Sequence, residues 1–112
     1  MSIGNAYGRG YPTIGTGTIT ALNQTIANPA VPGHRFGGLI SANNSILPGQ
    51  SGGPMLNRSG RVIGVNDAYQ QVSSTDNTPS GVGFAIPIAT AMHSAHTLLA
   101  HYNHNTQLQL RT

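Results

Sequence analysis

The sequence contains no cysteine and no tryptophan, and not one lysine or glutamate. Without cysteine there is neither a disulfide framework nor a thiolate metal site, and cysteine usage leaves the redox compartment open. Charged residues make up 6% of the 112 residues, far below the usual quarter of a globular chain. So little charge opposes association weakly, and predicts that part of what an isolated copy exposes faces another domain or a second subunit. The formal charge of +3 comes from Arg9, Arg35, Arg58, Arg61 and Arg111 set against Asp67 and Asp76. These arginines are scattered, with no basic run and no aromatic platform beside one, which argues against a nucleic-acid partner. No stretch approaches the roughly twenty apolar residues needed to span a bilayer, so no membrane partner is expected. Met1-Ser2-Ile3-Gly4-Asn5 lacks the basic and apolar regions of a signal peptide.

What the chain has instead is punctuation. Its 15 glycines and 7 prolines, with Asn and Ser, separate short β-branched stretches at fairly even spacing, which reads as an all-β meander or barrel. The predicted strands are Ile3–Ala6, Thr13–Asn23, Phe36–Ser41, Pro54–Asn57, Arg61–Asp67 and Val82–Ile86, six in number, enough for one small closed antiparallel barrel. Asn57-Arg58-Ser59-Gly60 reads as a hairpin turn with Gly60 at positive φ. Gln70–Ser80 is polar and reads as a mobile surface loop. After Pro87 the period changes: Ile88, Ala91, Met92, Ala95, Leu98, Leu99 and Tyr102 recur at three and four, one apolar stripe of a helix from about Ile88 to Tyr102. The expected organisation is one domain over 1–104, the helix closing it, and a disordered tail over 105–112.

One hexapeptide carries chemistry, Gly49-Gln50-Ser51-Gly52-Gly53-Pro54. A serine between glycines on a Pro-Gly turn suits an acyl-transfer nucleophile. Small neighbours let a carbonyl reach Ser51, and the turn can aim the N–H groups of Gly49 and Ser51 at the point where an oxyanion forms. A plain Gly-rich turn is the bland alternative, but G-x-S-G-G-P arises by chance in roughly one sequence in a thousand of this composition.

The surrounding order is more specific. Ile40-Ser41-Ala42-Asn43-Asn44-Ser45-Ile46-Leu47-Pro48 leads in, and Met55-Leu56-Asn57, Gly60-Arg61-Val62-Ile63-Gly64-Val65-Asn66 and Ser80-Gly81-Val82-Gly83-Phe84-Ala85-Ile86-Pro87 follow. This run resembles the C-terminal barrel half of trypsin-like serine proteases, within them the Deg/HtrA-type branch. Ile3-Gly4-Asn5-Ala6-Tyr7-Gly8 and Thr16-Gly17-Thr18-Ile19-Thr20-Ala21-Leu22 are similar to two further segments of that branch. The resemblance implies Ser51 as nucleophile, Gly49 and Ser51 N–H as oxyanion hole, Ser45 at the floor of a pocket for small or apolar side chains, and Val65, Asn66 and Asp67 along the substrate cleft. It implies a peptide or unfolded protein segment as substrate, no cofactor and no metal, and a family that is often extracytoplasmic.

The departures decide what such a chain can do. In the family the catalytic histidine and aspartate lie upstream on an N-terminal barrel. Before Ser51 this sequence has only His34, in a Pro-Gly loop, and both acids follow Ser51. Asn43 stands where the branch usually carries aspartate, and Gln50 where digestive trypsins have the acid that pairs with a freed N-terminus. The expectation is a half-domain nearly inactive alone, completed by a complementary N-terminal barrel. The alternative is a standalone non-catalytic module, homo-oligomeric or peptide-binding. His93, His96, His101 and His104 fall opposite the apolar stripe and read as a solvated face, since two imidazoles at i, i+3 without a carboxylate make a weak metal site. Gly49-Gln50-Ser51-Gly52-Gly53 also fits the G-x-S-x-G elbow of α/β-hydrolases, but that elbow needs a helix directly after the serine, and here Pro54 and a strand follow.

Overall fold

The computed structural model describes residues 1–27, 31–73 and 76–111, with side chains described over 1–27, 31–70 and 79–104. Seven strands follow one another, β1 (Ser2–Gly4), β2 (Thr13–Gly15), β3 (Ile19–Ala27), β4 (Arg35–Ala42), β5 (Pro54–Leu56), β6 (Val62–Ser73) and β7 (Asp76–Pro87), and the helix α1 (Ile88–Arg111) ends the order. All pairings are antiparallel, in one sheet ordered β2-β1-β5-β6-β7-β4-β3.

The all-β class with a C-terminal helix is the one the sequence predicts. The count differs because Thr13–Asn23 turns a corner at Thr16-Gly17-Thr18, which separates β2 from β3. That corner runs against the segment after β4. Thr18 N–H donates to Asn43 Oδ1 at 2.6 Å and Asn43 N–H to Thr18 O at 3.0 Å. A Cβ on Gly17 would stand 2.5 Å from the Asn43 carbonyl oxygen, so only glycine lets the backbones meet. No ladder joins β2 to β3 among the described residues, so the sheet is not closed by pairing as a complete barrel would be. Its two ends are instead joined covalently through this three-residue corner.

Two further expectations are corrected. Gln70–Ser80 is strand rather than loop over its described backbone: β6 and β7 pair out to Ser73↔Asp76, through register shifts that bend the ribbon. Ser74 and Thr75 lie outside the described residues. The helix runs to Arg111 rather than stopping at Tyr102. Pro87, the last residue of β7, sits just before its first turn, where its missing N–H costs nothing. Asn57-Arg58-Ser59-Gly60 forms the expected turn, with Gly60 at φ 76° and Asn57 Oδ1 accepting from Ser59 N–H at 3.0 Å and Arg61 N–H at 3.1 Å.

The core is small: Ile40 and Ala42 of β4, Ile46, Met55 of β5 and Ala85 of β7, with Ile63 and Tyr69 of β6 against it. Among the described residues, only the start of α1 adds to it. Ile88 and Ala91 are half-buried against β6 and β7, whereas Met92, Leu98, Leu99 and Tyr102 are 46 to 71% exposed. The apolar stripe read from the sequence exists, but the sheet does not cover most of it. No described helix is long and apolar enough to cross a membrane.

Candidate functional site

Residues 43–53, between β4 and β5, carry Ser51. The chain before it is clasped by the helical turn Ala6–Gly8: Tyr7 N–H donates to Pro48 O at 2.6 Å and Asn5 N–H to Gly49 O at 3.2 Å. Gly49 lies at φ 93°, and a Cβ on it would sit 2.2 Å from the Asn5 carbonyl oxygen, so this position takes glycine alone. Gln50 N–H closes a tight turn onto Leu47 O at 3.1 Å, and Gly53 N–H closes the next onto Gln50 O at 3.1 Å. The N–H groups of Gly49 and Ser51, on either side of Gln50, have no hydrogen-bond partner among the described residues. Two unpaired donors alternate with a committed one, on a loop held at both ends.

β6 holds the far side of the loop. Asn66 N–H donates to Gly53 O at 2.8 Å and Asn66 O accepts from Gly52 N–H at 2.7 Å. Next along β6 is a bulge, since Asn66 pairs with Ala85 and Ala68 with Phe84, leaving Asp67 as the extra residue. Its carbonyl is therefore free of the ladder and accepts from Ser51 Oγ at 2.9 Å, while Ser51 itself is exposed.

Under the loop lies a buried polar network. Asn66 Nδ2 donates to the carbonyls of Ile3, Gln50 and Pro54 at 3.3 to 3.4 Å. Those acceptors fix the amide's orientation, because a carbonyl cannot donate. Asn66 Oδ1 then accepts from Ser2 Oγ at 2.9 Å, and Ser2 Oγ accepts from Asn44 Nδ2. Ser2, Asn44, Gln50 and Asn66 are each at most 1% exposed, and Asn44 Oδ1 is left without a donor.

The sequence-predicted residues are thus distributed unevenly. Gly49, Ser51 and Asp67 meet at one loop. Asn66 joins them from below, with its side chain turned into the network. Val65 pairs with Pro54 on one side and Ile86 on the other, and β5 flanks β6 only over Val62–Val65. Beyond Asp67 no strand flanks β6 on that side among the described residues. Ser45 is exposed at φ 51°, its N–H donating to Gly81 O at 3.1 Å. His34 lies in the turn just before β4, seven residues from Ser41, or about 23 Å along an extended strand. β4 reaches the Ser51 region only at its other end, through Ile40–Ala42 against β7. The helix histidines His93, His96, His101 and His104 are exposed, and among the described residues no three His, Asp, Glu or Cys side chains cluster as a metal site.

Ser2 and Asn44 were not legible as part of this network, because nothing in their neighbourhood marks a small polar residue as buried, and nothing local singles out the half-buried Thr13. An open depression of about 520 Å³ between Ile3-Gly4-Asn5, Tyr11 and Gly49 flanks the loop. A cavity of about 290 Å³ walled by Met1, Ile19, Met55, Leu56 and Ile63 does not include Ser51.

Comparison with known proteins bears on this loop. Residues 1–65 match the family described as trypsin-like peptidase domain. The chain is 40% identical over 90 residues, 80% of its length, to protease Do-like 1, chloroplastic, of Arabidopsis thaliana. It is 36% identical over 88 residues, 78% of its length, to serine protease Do-like HtrB of Bacillus subtilis, and 36% identical over 91 residues, 81% of its length, to serine endoprotease DegS of Escherichia coli. It spans only 19, 18 and 24% of those relatives' own lengths.

Proposed function

This chain belongs to the trypsin-like peptidase family, as a piece similar to Deg/HtrA-type proteases, and from that premise we propose that it is the nucleophile-bearing C-terminal half-domain of a serine endopeptidase. Ser51 attacks the scissile carbonyl of an extended peptide, and the N–H groups of Gly49 and Ser51 receive the oxyanion. The observation that carries this reading is the alternation along the loop: Gly49 and Ser51 N–H unpaired, Gln50 N–H bonded to Leu47 O. Unpaired donors on a pinned loop are preorganised for charge that develops only in the transition state, where such donors act most strongly.

The peptide lies along the edge of β6 from Asp67 onward, with Ser45 beside the first side-chain pocket. Ser51 Oγ donates its proton to the Asp67 carbonyl, which cannot act as a base at neutral pH. A histidine and an acid, carried on a complementary N-terminal barrel, supply that step. Without them only oxyanion stabilisation and binding remain, about 10³ to 10⁴-fold over water in triad-deleted proteases.

The test is cleavage of unfolded casein by the purified chain and by its Ser51→Ala variant. Background turnover in both is expected. Robust cleavage that vanishes in Ser51→Ala refutes the half-domain reading. A second reading, a non-catalytic module that self-associates, draws on one observation, the exposed stripe Met92, Leu98 and Leu99 on α1. It requires a stable oligomer at micromolar concentration and no acylation of Ser51.

A further inference from the structure

We infer that Gln50 is the positioning residue of the Ser51 loop, tying it through a neutral carboxamide to Thr13 of β2 and so keeping the Gly49 and Ser51 N–H groups free. This rests on the oxyanion-hole reading for its purpose, but the tie itself is a matter of geometry.

Gln50 is 1% exposed, and its side chain curls back beneath its own turn. Oε1 accepts from Leu47 N–H at 2.9 Å, while Nε2 donates to Thr13 O at 3.2 Å and to Thr13 Oγ1 at 3.1 Å. The orientation admits no flip: Leu47 N–H can only donate, and Thr13 O can only accept. Both amide hydrogens and one oxygen lone pair are therefore used, and the backbone N–H and C=O of Gln50 are used as well.

Thr13 is itself fixed. Its Oγ1 donates to Gly4 O at 3.0 Å and accepts from Ala6 N–H at 2.8 Å. The loop is thus bolted to the β1–β2 hairpin and to the turn that clasps Pro48 and Gly49. Space for the bolt comes from Gly4, where a Cβ would stand 2.5 Å from Gln50 Cα.

Leu47 and Gln50 bond each other twice across one turn, Leu47 N–H to the Gln50 side chain and Gln50 N–H to Leu47 O. With Oε1 gone, Leu47 N–H loses its acceptor. With Nε2 gone, the side-chain tie of residue 50 to Thr13 is lost, and only the backbone bonds of Pro48, Gly49 and Gln50 resist rotation of that peptide toward another hydrogen-bond partner. The amide carries no charge, so the tie needs no ionised partner and no titratable group lies within it.

Two measurements on the whole chain test this, with Gln50→Met, which keeps the length and loses every polar contact, and Thr13→Val, which removes Oγ1 alone. The first is amide NMR. In the parent chain Gly49 and Ser51 N–H exchange with water at least ten-fold faster than Gln50 N–H, and both Gln50 Nε2 protons are protected. In Gln50→Met the Gly49 and Ser51 signals shift or split while those of Met55 and Val65 stay in place. In Thr13→Val one Nε2 proton loses its protection. Unmoved Gly49 and Ser51 signals in a folded Gln50→Met chain overturn the inference, as do unprotected Nε2 protons in the parent.

The second is acetylation by p-nitrophenyl acetate, read at Ser51 by peptide mass. The Ser51 Oγ to acyl carbon bond forms, the bond to p-nitrophenolate breaks, and the hydroxyl proton goes to water. The inference expects at least a ten-fold slower rate in Gln50→Met, and an equal rate overturns it. If the parent is not acetylated, Ser51 needs the base of the complementary barrel before it reacts, and the NMR arm alone decides the tie.

Discussion

Changing Asn66 to aspartate replaces one group by its isostere and inverts its chemistry. Asn66 Nδ2 faces three carbonyl oxygens, those of Ile3, Gln50 and Pro54, at 3.3 to 3.4 Å. An ionised carboxylate oxygen in that place faces three partial negative charges with no donor, at a position 1% exposed. Both the buried charge and the opposing dipoles disfavour ionisation, so the folded-state pKa of the new aspartate lies above its unfolded value near 3.9. At pH 7 the variant is expected to lose roughly 3–5 kcal/mol, the range for a buried charge left uncompensated. That is a large share of the 5–15 kcal/mol that holds a domain together. The sign with pH follows from the raised pKa. Below about pH 4 the group is protonated in both states and the penalty is gone; it grows as pH rises toward the folded-state pKa and is constant above it. Stability relative to the parent therefore improves on acidification. Asn66→Ala supplies the comparison, losing about 1–3 kcal/mol from unsatisfied carbonyls with no pH dependence of its own. Urea unfolding followed by circular dichroism, from pH 4 to pH 8, reads both. Equal midpoints for Asn66→Asp and the parent at pH 7, or a deficit that does not shrink toward pH 4, refute the buried network.

Three other outcomes are expected. Gly83→Ala puts a Cβ 2.4 Å from Ile46 Cδ1 and 2.9 Å from its Cβ, in a side chain with no exposure to relax into, so a loss of about 1–3 kcal/mol is expected in thermal unfolding. The double variant with Ile46→Val should lose less than the sum of the single losses. Ser51→Ala removes one exposed hydrogen bond, to Asp67 O, and should shift stability by less than about 1 kcal/mol. Leu98→Asp and Leu99→Asp together should leave unfolding within about 1 kcal/mol of the parent, because both side chains are more than half exposed, while sedimentation shows less self-association.

The fold was legible where local chemistry and tertiary pairing agree. Alternating β-branched segments became strands, Gly60 made its turn, and the change of period after Pro87 became α1. The misreadings share one cause, which is that a single chain does not print its partners. Thr13–Asn23 reads as one strand by propensity, and its break lies where the Asn43 and Asn44 backbones pass Gly17 and Gly15. Gln70–Ser80 reads as a polar loop, yet two polar segments facing each other across a short connection can pair through their backbones without an apolar face. The stripe on α1 reads as a core face because its period does not say whether anything covers it.

The site divides along the same line. Ser51 and Gly49 stand out as candidates because the roles proposed for them depend on small size and positive φ, properties that residue types announce. Asp67 contributes a carbonyl, and the bulge that frees it comes from the register between β6 and β7, which no single segment encodes. Asn66 and Gln50 act through buried amides whose meaning is directional: each is oriented by backbone carbonyls that accept and cannot donate, from residues as distant in sequence as Ile3 and Thr13. In a chain with so few charges, such amides hold the Ser51 loop without an ion pair among the described residues. A neutral bolt keeps its strength over the whole pH range in which the backbone stays folded, because neither partner titrates. On the half-domain proposal, the pH dependence of a completed enzyme is expected from the base that reaches Ser51 and not from the Gln50–Thr13 tie.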